Sequence, residues 1–120
     1  MAAGDGKIML VEDDAEARNC LGEILELEGF DVVAFENGAE ALNYLAHSPL
    51  PRLIIMDMRM PLVDGPQFRA AMLRDQRLAR IPVIIVTAYE PSVAARLSVS
   101  KVFRKPIDIN ALVDVVRQYC

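Results

Sequence analysis

The sequence is poor in the residues that build metal and redox centres. It has one histidine, His47, and two cysteines, Cys20 and Cys120. The cysteines form no Cys-x-x-Cys pair and no zinc-ligand spacing, which excludes a thiolate metal site and a disulfide framework. A reducing, cytoplasmic setting is therefore expected. His47 precedes Ser48-Pro49 and reads as a surface or helix-end residue, with no second histidine for a relay. Positive charge is also scarce. Thirteen Lys and Arg stand against seventeen Asp and Glu, for a net charge of −4. A phosphate backbone needs a basic face, so no direct DNA binding is expected. No apolar run approaches the length of a membrane span, and no signal-peptide core follows Met1. Repeats, linkers and low-complexity segments are absent as well.

What remains is a 120-residue chain that is 53% hydrophobic, enough for one domain with a real core. Residues 1–6 are small and are expected to form a flexible start to a domain over 7–120. Lys7-Ile8-Met9-Leu10-Val11 reads as a short apolar strand. Asp14 then caps a helix with Ala17, Leu21, Ile24, Leu25 and Leu27 near one face, ended by Gly29. Asp31 to Phe35 reads as a second strand, and Asn37-Gly38 opens a helix through Ala41, Leu42 and Leu45. The run Leu53-Ile54-Ile55-Met56, preceded by Pro49 and Pro51, reads as a fully buried strand ending in Asp57. Gly65-Pro66 opens a third helix with Phe68, Ala71 and Met72 inward. Pro82 to Val86 is a fourth strand followed by Thr87, and a short helix is expected over Ser92 to Leu97. Lys101 to Arg104 is a fifth strand. Asp108 caps a last helix with Ile109, Leu112, Val113 and Val116 on one face.

Five strand–helix alternations imply an α/β fold, a parallel sheet covered by helices on both faces. Such sheets bind ligands beyond the carboxyl ends of their strands, where the strand order reverses. Those ends carry Glu12, Asp13, Asp14, Asp57, Thr87 and Lys105. Each has an ordinary explanation when taken singly. An aspartate after a strand often caps a helix, a threonine suits a strand, and a lysine is usually solvated. Together, each ending a different apolar strand, they suggest chemistry. Two carboxylates about 4 Å apart near a surface repel by roughly 4 kcal/mol, so Glu12, Asp13 and Asp57 at one edge call for a cation. An all-oxygen donor set suits Mg²⁺, with Mn²⁺ as the alternative. An Asp57 oxygen could then attack phosphorus to give an aspartyl phosphate. The Lys105 ammonium and the Thr87 hydroxyl would serve the equatorial oxygens of the phosphoryl group.

These motifs resemble a receiver domain of bacterial two-component response regulators. The matching stretches are Lys7 to Asp14, Leu53 to Pro61 with Asp64-Gly65, Val83 to Ala88, and Lys105-Pro106. The resemblance implies a flavodoxin-like (βα)5 doubly wound sheet in the order 2-1-3-4-5. It implies Asp57 as phosphoacceptor, Asp13 as direct metal ligand, Glu12 acting on the metal through water, and the Arg59 backbone carbonyl as a further ligand. Thr87 becomes the switch hydroxyl, Lys105 the phosphate partner, and the Lys105–Pro106 bond cis. The phosphoryl donor would be a sensor histidine kinase or a phosphotransfer protein. Output would be a protein contact, with no enzymatic activity beyond the domain's own phosphorylation and dephosphorylation. Arg59 and Tyr89, each two positions beyond a site residue, are expected to tune dephosphorylation.

The chain departs from the family between Thr87 and Lys105. The gap is 18 positions, about four fewer than usual, or close to one helical turn. The fourth helix of the family is thus expected to be short, displaced or partly unwound. Val102 stands where the family often has Tyr or Phe. Phe103, one residue on, belongs to the opposite face of the strand and reads as a core residue. These changes suggest altered output or a homodimer with a non-standard interface. Two other readings stay open. A pseudo-receiver would bind partners without taking up phosphate. A haloacid-dehalogenase-type phosphatase also uses a strand-end aspartate, but it needs Asp-x-Asp where this chain has Asp57-Met58-Arg59. Flavin binding is weaker, since no hydroxyl-rich loop follows the first strand.

Overall fold

The computed structural model describes residues 6–59, 62–88 and 99–120. Chain order is β1 (Ile8–Val11), α1 (Ala15–Leu27), β2 (Val32–Phe35), α2 (Gly38–His47), β3 (Leu53–Asp57), α3 (Gly65–Leu73), α4 (Gln76–Ala79), β4 (Val83–Thr87), β5 (Lys101–Arg104) and α5 (Ile109–Tyr119). All strand pairings are parallel, and the order across the sheet is β2-β1-β3-β4-β5. This is the doubly wound arrangement expected.

The sequence pattern explains the burial. β1, β3 and β4 occupy the middle of the sheet, so both faces of each are covered and every residue from Ile8 to Val11 and from Leu53 to Met56 is buried. Alternate residues feed two cores. Met9, Ile54, Met56 and Ile85 meet Leu45 of α2 with Phe68 and Met72 of α3. Ile8, Leu10, Ile55 and Ile84 meet Leu21 and Leu25 of α1 with Leu112 and Val116 of α5. Side-chain oxygens cap the helices. Asp14 accepts from Glu16 N and Ala17 N, Asn37 from Glu40 N, and Asp108 from Ala111 N. Asp64 and Gln67 form a reciprocal capping box at the start of α3.

Four details differ from the sequence reading. Leu27, assigned to the apolar face of α1, is 86% exposed, because it lies two residues, about 200°, around the helix from the buried Leu25. Ala71 is half-buried rather than inward. The short helix α4 was not anticipated. Asp75 starts it by accepting from Arg77 N, and Leu78 seats it on the core. Lys7, Asp31 and Pro82 fall just outside their strands, while Thr87 is the last residue of β4 rather than following it. The helix expected over Ser92 to Leu97 lies outside the described residues, as do Tyr89 and all of the 1–6 segment except Gly6.

Candidate functional site

Strand order decides which strand ends meet. β1 and β3 are neighbours at the centre, and the chain departs from them in opposite directions, so the gap above them is the switch point. Val11 is paired with Met56, which sets Glu12 level with Asp57. Asp57 is paired with Val86, and Thr87 with Arg104. Thr87 and Lys105 therefore rise at the same edge, joined by a 2.7 Å hydrogen bond from Lys105 N to Thr87 O. The expected residues Glu12, Asp57, Thr87 and Lys105, scattered over 93 positions, converge through register alone.

At the centre lies the Lys105 ammonium. Its Nζ donates to Asp57 Oδ2 at 2.7 Å and to Glu12 Oε1 at 3.1 Å. The Asp57 side chain is 12% exposed and that of Glu12 9%, against 30% for Lys105. The other oxygens are also held. Arg59 N donates to Asp57 Oδ1 at 3.1 Å, and Asp14 N donates to Glu12 Oε2 at 3.2 Å. Burial raises the Glu12 pKa above the ordinary carboxylate value, opposed by the Asp14 N–H and Lys105 and reinforced by the charge of Asp57. For Lys105 burial acts first, downwards, but hydrogen bonds and charge from Asp57 and Glu12 outweigh it and raise the net pKa. The lysine is thus a firmly held cation.

Asp13 completes an acidic triad. One oxygen from each of Glu12, Asp13 and Asp57 lies within 4.8 Å of the others, with Asp13 on the exposed side. This hard-oxygen set, offered at an exposed lip, fits a divalent cation of the Mg²⁺ class. Thr87 is buried at 1% exposure. The Lys105–Pro106 bond is cis, as the resemblance implied, and Pro106 is exposed. Val102 packs on the core shared with α2 and α3, while Phe103 packs on the core shared with α1 and α5. The two side chains do lie on opposite faces, so Phe103 does not stand in for a ring at 102. An apolar cleft of about 320 Å³ between α1 and the residues following Lys105 opens beside Asp57.

Three supports were not read from sequence. Arg18 Nη1 donates to Glu12 O at 2.8 Å, tying α1 to the acidic turn. Gly65 N donates to Met58 O at 2.9 Å, and a Cβ on Gly65 would come within 2.9 Å of Met58 Cα. Gly38 meets the same loop from the other side, where a Cβ would lie 2.4 Å from Val63 O. Asn37-Gly38 was visible as a helix start and Asp64-Gly65 as part of the matching motif, but their role in seating the β3–α3 loop depends on contacts with Val63 and Met58.

Comparison with known proteins agrees with this geometry. A profile of the response regulator receiver domain matches residues 8–117. The polar-differentiation response regulator DivK of Brucella anthropi is 29% identical over 116 residues, spanning 93% of this chain and 94% of that one. A response regulator receiver protein from Pseudomonas putida has a similar structure at TM-score 0.87 and 26% identity, covering 98% of this chain and 99% of that one. The phosphorylated cyanobacterial phytochrome response regulator RcpA is similar at TM-score 0.79 and 28% identity, over 98% of this chain and 91% of that one. With its sheet order and its strand-end residues in register, this chain belongs to the response regulator receiver domains of two-component signalling.

Proposed function

We propose that this domain accepts a phosphoryl group on Asp57 from a phosphohistidine of a sensor kinase or phosphotransfer protein, and signals by protein contact. The observation that carries the reading is the Lys105 ammonium placed 2.7 Å from Asp57 Oδ2 at the mouth of an acidic triad. An Asp57 oxygen attacks phosphorus, an O–P bond forms, the donor P–N bond breaks, and the imidazole leaves with the electron pair. Lys105 then turns from the carboxylate to the phosphoryl oxygens, and the Thr87 hydroxyl takes another. The Arg59 N–H holds the Asp57 carboxylate in place before attack. In hydrolysis, water attacks phosphorus, the O–P bond breaks, and the Asp57 carboxylate and inorganic phosphate are regenerated.

Receiver domains generally bind Mg²⁺ at an acidic pocket, and Glu12, Asp13 and Asp57 form one here. Asp13 and Asp57 would ligate the ion directly, Glu12 through water, and Arg59 through its carbonyl. When bound, it supplies positive charge against the phosphoryl oxygens. In this reading the domain spans 7–120 and works in the cytoplasm without binding DNA or membrane. Val102 in place of a ring favours output, or homodimerisation, through a non-standard interface. Arg59 and Tyr89 tune the phosphoryl lifetime, and Pro106 modulates the site.

Incubation with acetyl phosphate and Mg²⁺ tests the proposal. One phosphoryl mass should be gained, and it should be lost in Asp57→Asn and in chelator. A parent protein that gains no mass would instead be a pseudo-receiver.

A further inference from the structure

Leu62 lies in the β3–α3 connection, and its backbone φ is 69°. Among the described residues no other non-glycine has a positive φ. A bulky side chain pays sterically for that conformation, which glycine or asparagine adopts with less strain. The surroundings enforce it. Gly65 N bonds Met58 O and closes the connection on one side, while Val63 is seated against Gly38 on the other. Leu62 is left pointing out, with 76% of its surface exposed.

Its position separates it from the other exposed large apolar residues. Leu27 and Leu73 are 86% and 52% exposed and sit at the C-terminal ends of α1 and α3. Helices that follow parallel strands run back along the sheet, so those ends lie at the edge away from Asp57. Leu62 stands in the closed loop that leaves Asp57 and returns to Met58, at the edge a phosphoryl donor must cover. A strained, exposed leucine there has no use in the core.

We infer that Leu62 is an apolar anchor for the protein that carries the phosphohistidine, an inference that rests on Asp57 being the acceptor. The occupant follows from the chemistry. A phosphohistidine is presented by a protein, and Asp57, with a side chain 12% exposed, is reached only when that protein closes over the carboxyl edge. A small donor such as acetyl phosphate needs no such footing. The anchor thus serves protein donors and not the chemical step.

The test compares Leu62→Gly, Leu62→Asn and Leu62→Met with the parent. Autophosphorylated histidine-kinase cores are screened for transfer to the parent, and any active core is then used on the variants. The Gly and Asn variants relieve the backbone strain, so their Tm should equal or exceed that of the parent. Their kcat/KM for transfer from the kinase core should fall by roughly tenfold, as for loss of one interface anchor. Labelling by acetyl phosphate should stay at the parental rate, and Leu62→Met should keep transfer. Parental transfer in the Gly and Asn variants overturns the inference, as does an equal loss with acetyl phosphate. Failure of every core to label a parent that acetyl phosphate does label also overturns it. If light scattering shows a dimer that dissociates in Leu62→Asn while transfer is unchanged, Leu62 belongs to self-association instead. Failure of acetyl phosphate on the parent would be a failure of the phosphoacceptor reading, and is thereby distinguished.

Discussion

Replacing Lys105 by methionine keeps the length of the side chain and removes the charge that Glu12 and Asp57 share. With Nζ at 2.7 Å and 3.1 Å from the two carboxylates, each attraction is roughly 5–6 kcal/mol at an effective dielectric near 20, before desolvation. Without the ammonium, carboxylate oxygens within 4.8 Å of each other repel by roughly 3–4 kcal/mol. Lys105 is 30% exposed, so water screens part of this, and the lost desolvation cost of the lysine offsets more. The expected net loss in metal-free buffer is about 2–4 kcal/mol, a drop of roughly 1–2 M in the urea midpoint. The sign should reverse for metal. The ammonium competes for the carboxylates a cation needs, so Lys105→Met should bind Mg²⁺ more tightly by roughly tenfold, recovering stability by linkage. Phosphorylation by acetyl phosphate should nevertheless slow by about 10²-fold, since a donor to the transferring group is gone. The pH dependence follows from Glu12, whose pKa burial already raises and which loses the lowering influence of Lys105. A carboxyl group with a raised folded pKa favours the folded state when protonated, so the variant in chelator should gain stability as pH falls from neutrality towards that value. Urea titrations in EDTA and in Mg²⁺ measure all of this. A midpoint in EDTA equal to that of the parent, or weaker Mg²⁺ binding, would refute the reasoning.

Three further predictions concern the loop, the acyl phosphate and a thiol. Gly38→Ala puts a methyl 2.4 Å from Val63 O and should cost about 1–3 kcal/mol in urea unfolding, and an unchanged midpoint would show that the loop yields freely. Arg59→Ala removes the side chain two positions beyond Asp57 and should change the phosphoryl lifetime a few-fold, followed by decay of the added mass. An unchanged lifetime removes the Arg59 side chain from the mechanism. Partial desolvation, opposed by the charge of Arg52, raises the pKa of the exposed Cys120 thiol above its ordinary value, so in Cys20→Ser the iodoacetamide rate should keep climbing through pH 9. A plateau by pH 8.5 would contradict that environment.

Much of the fold was legible because the patterns are local. A run such as Leu53-Ile54-Ile55-Met56 is apolar on both faces and so marks a central strand. Asp14, Asn37 and Asp108 announce helix starts through the donors they cap. Leu27 misled because an apolar residue in a helical stretch reads as inward, whereas two residues past Leu25 it falls on the far side of the helix. The helix α4 escaped notice because four residues are too few to show a period. Of the site, Glu12, Asp13, Asp57, Thr87 and Lys105 were legible as polar residues ending apolar strands.

By itself, then, the sequence determined the alternation of strands and helices, the one-domain scale, and the all-oxygen character of the strand-end residues. These depend on composition and on contacts a few residues apart. The tertiary structure alone decided that Lys105 bridges Glu12 and Asp57, that Arg18 braces the acidic turn, and that Gly38 and Gly65 pin the loop carrying a strained Leu62. The Lys105 bridges and the Gly38 contact join segments far apart in the chain, and the Lys105 distances exist only once strand order and register have brought the carboxyl ends of β1, β3, β4 and β5 to one edge, whereas the Arg18 and Gly65 contacts are local and depend on how each turn is folded.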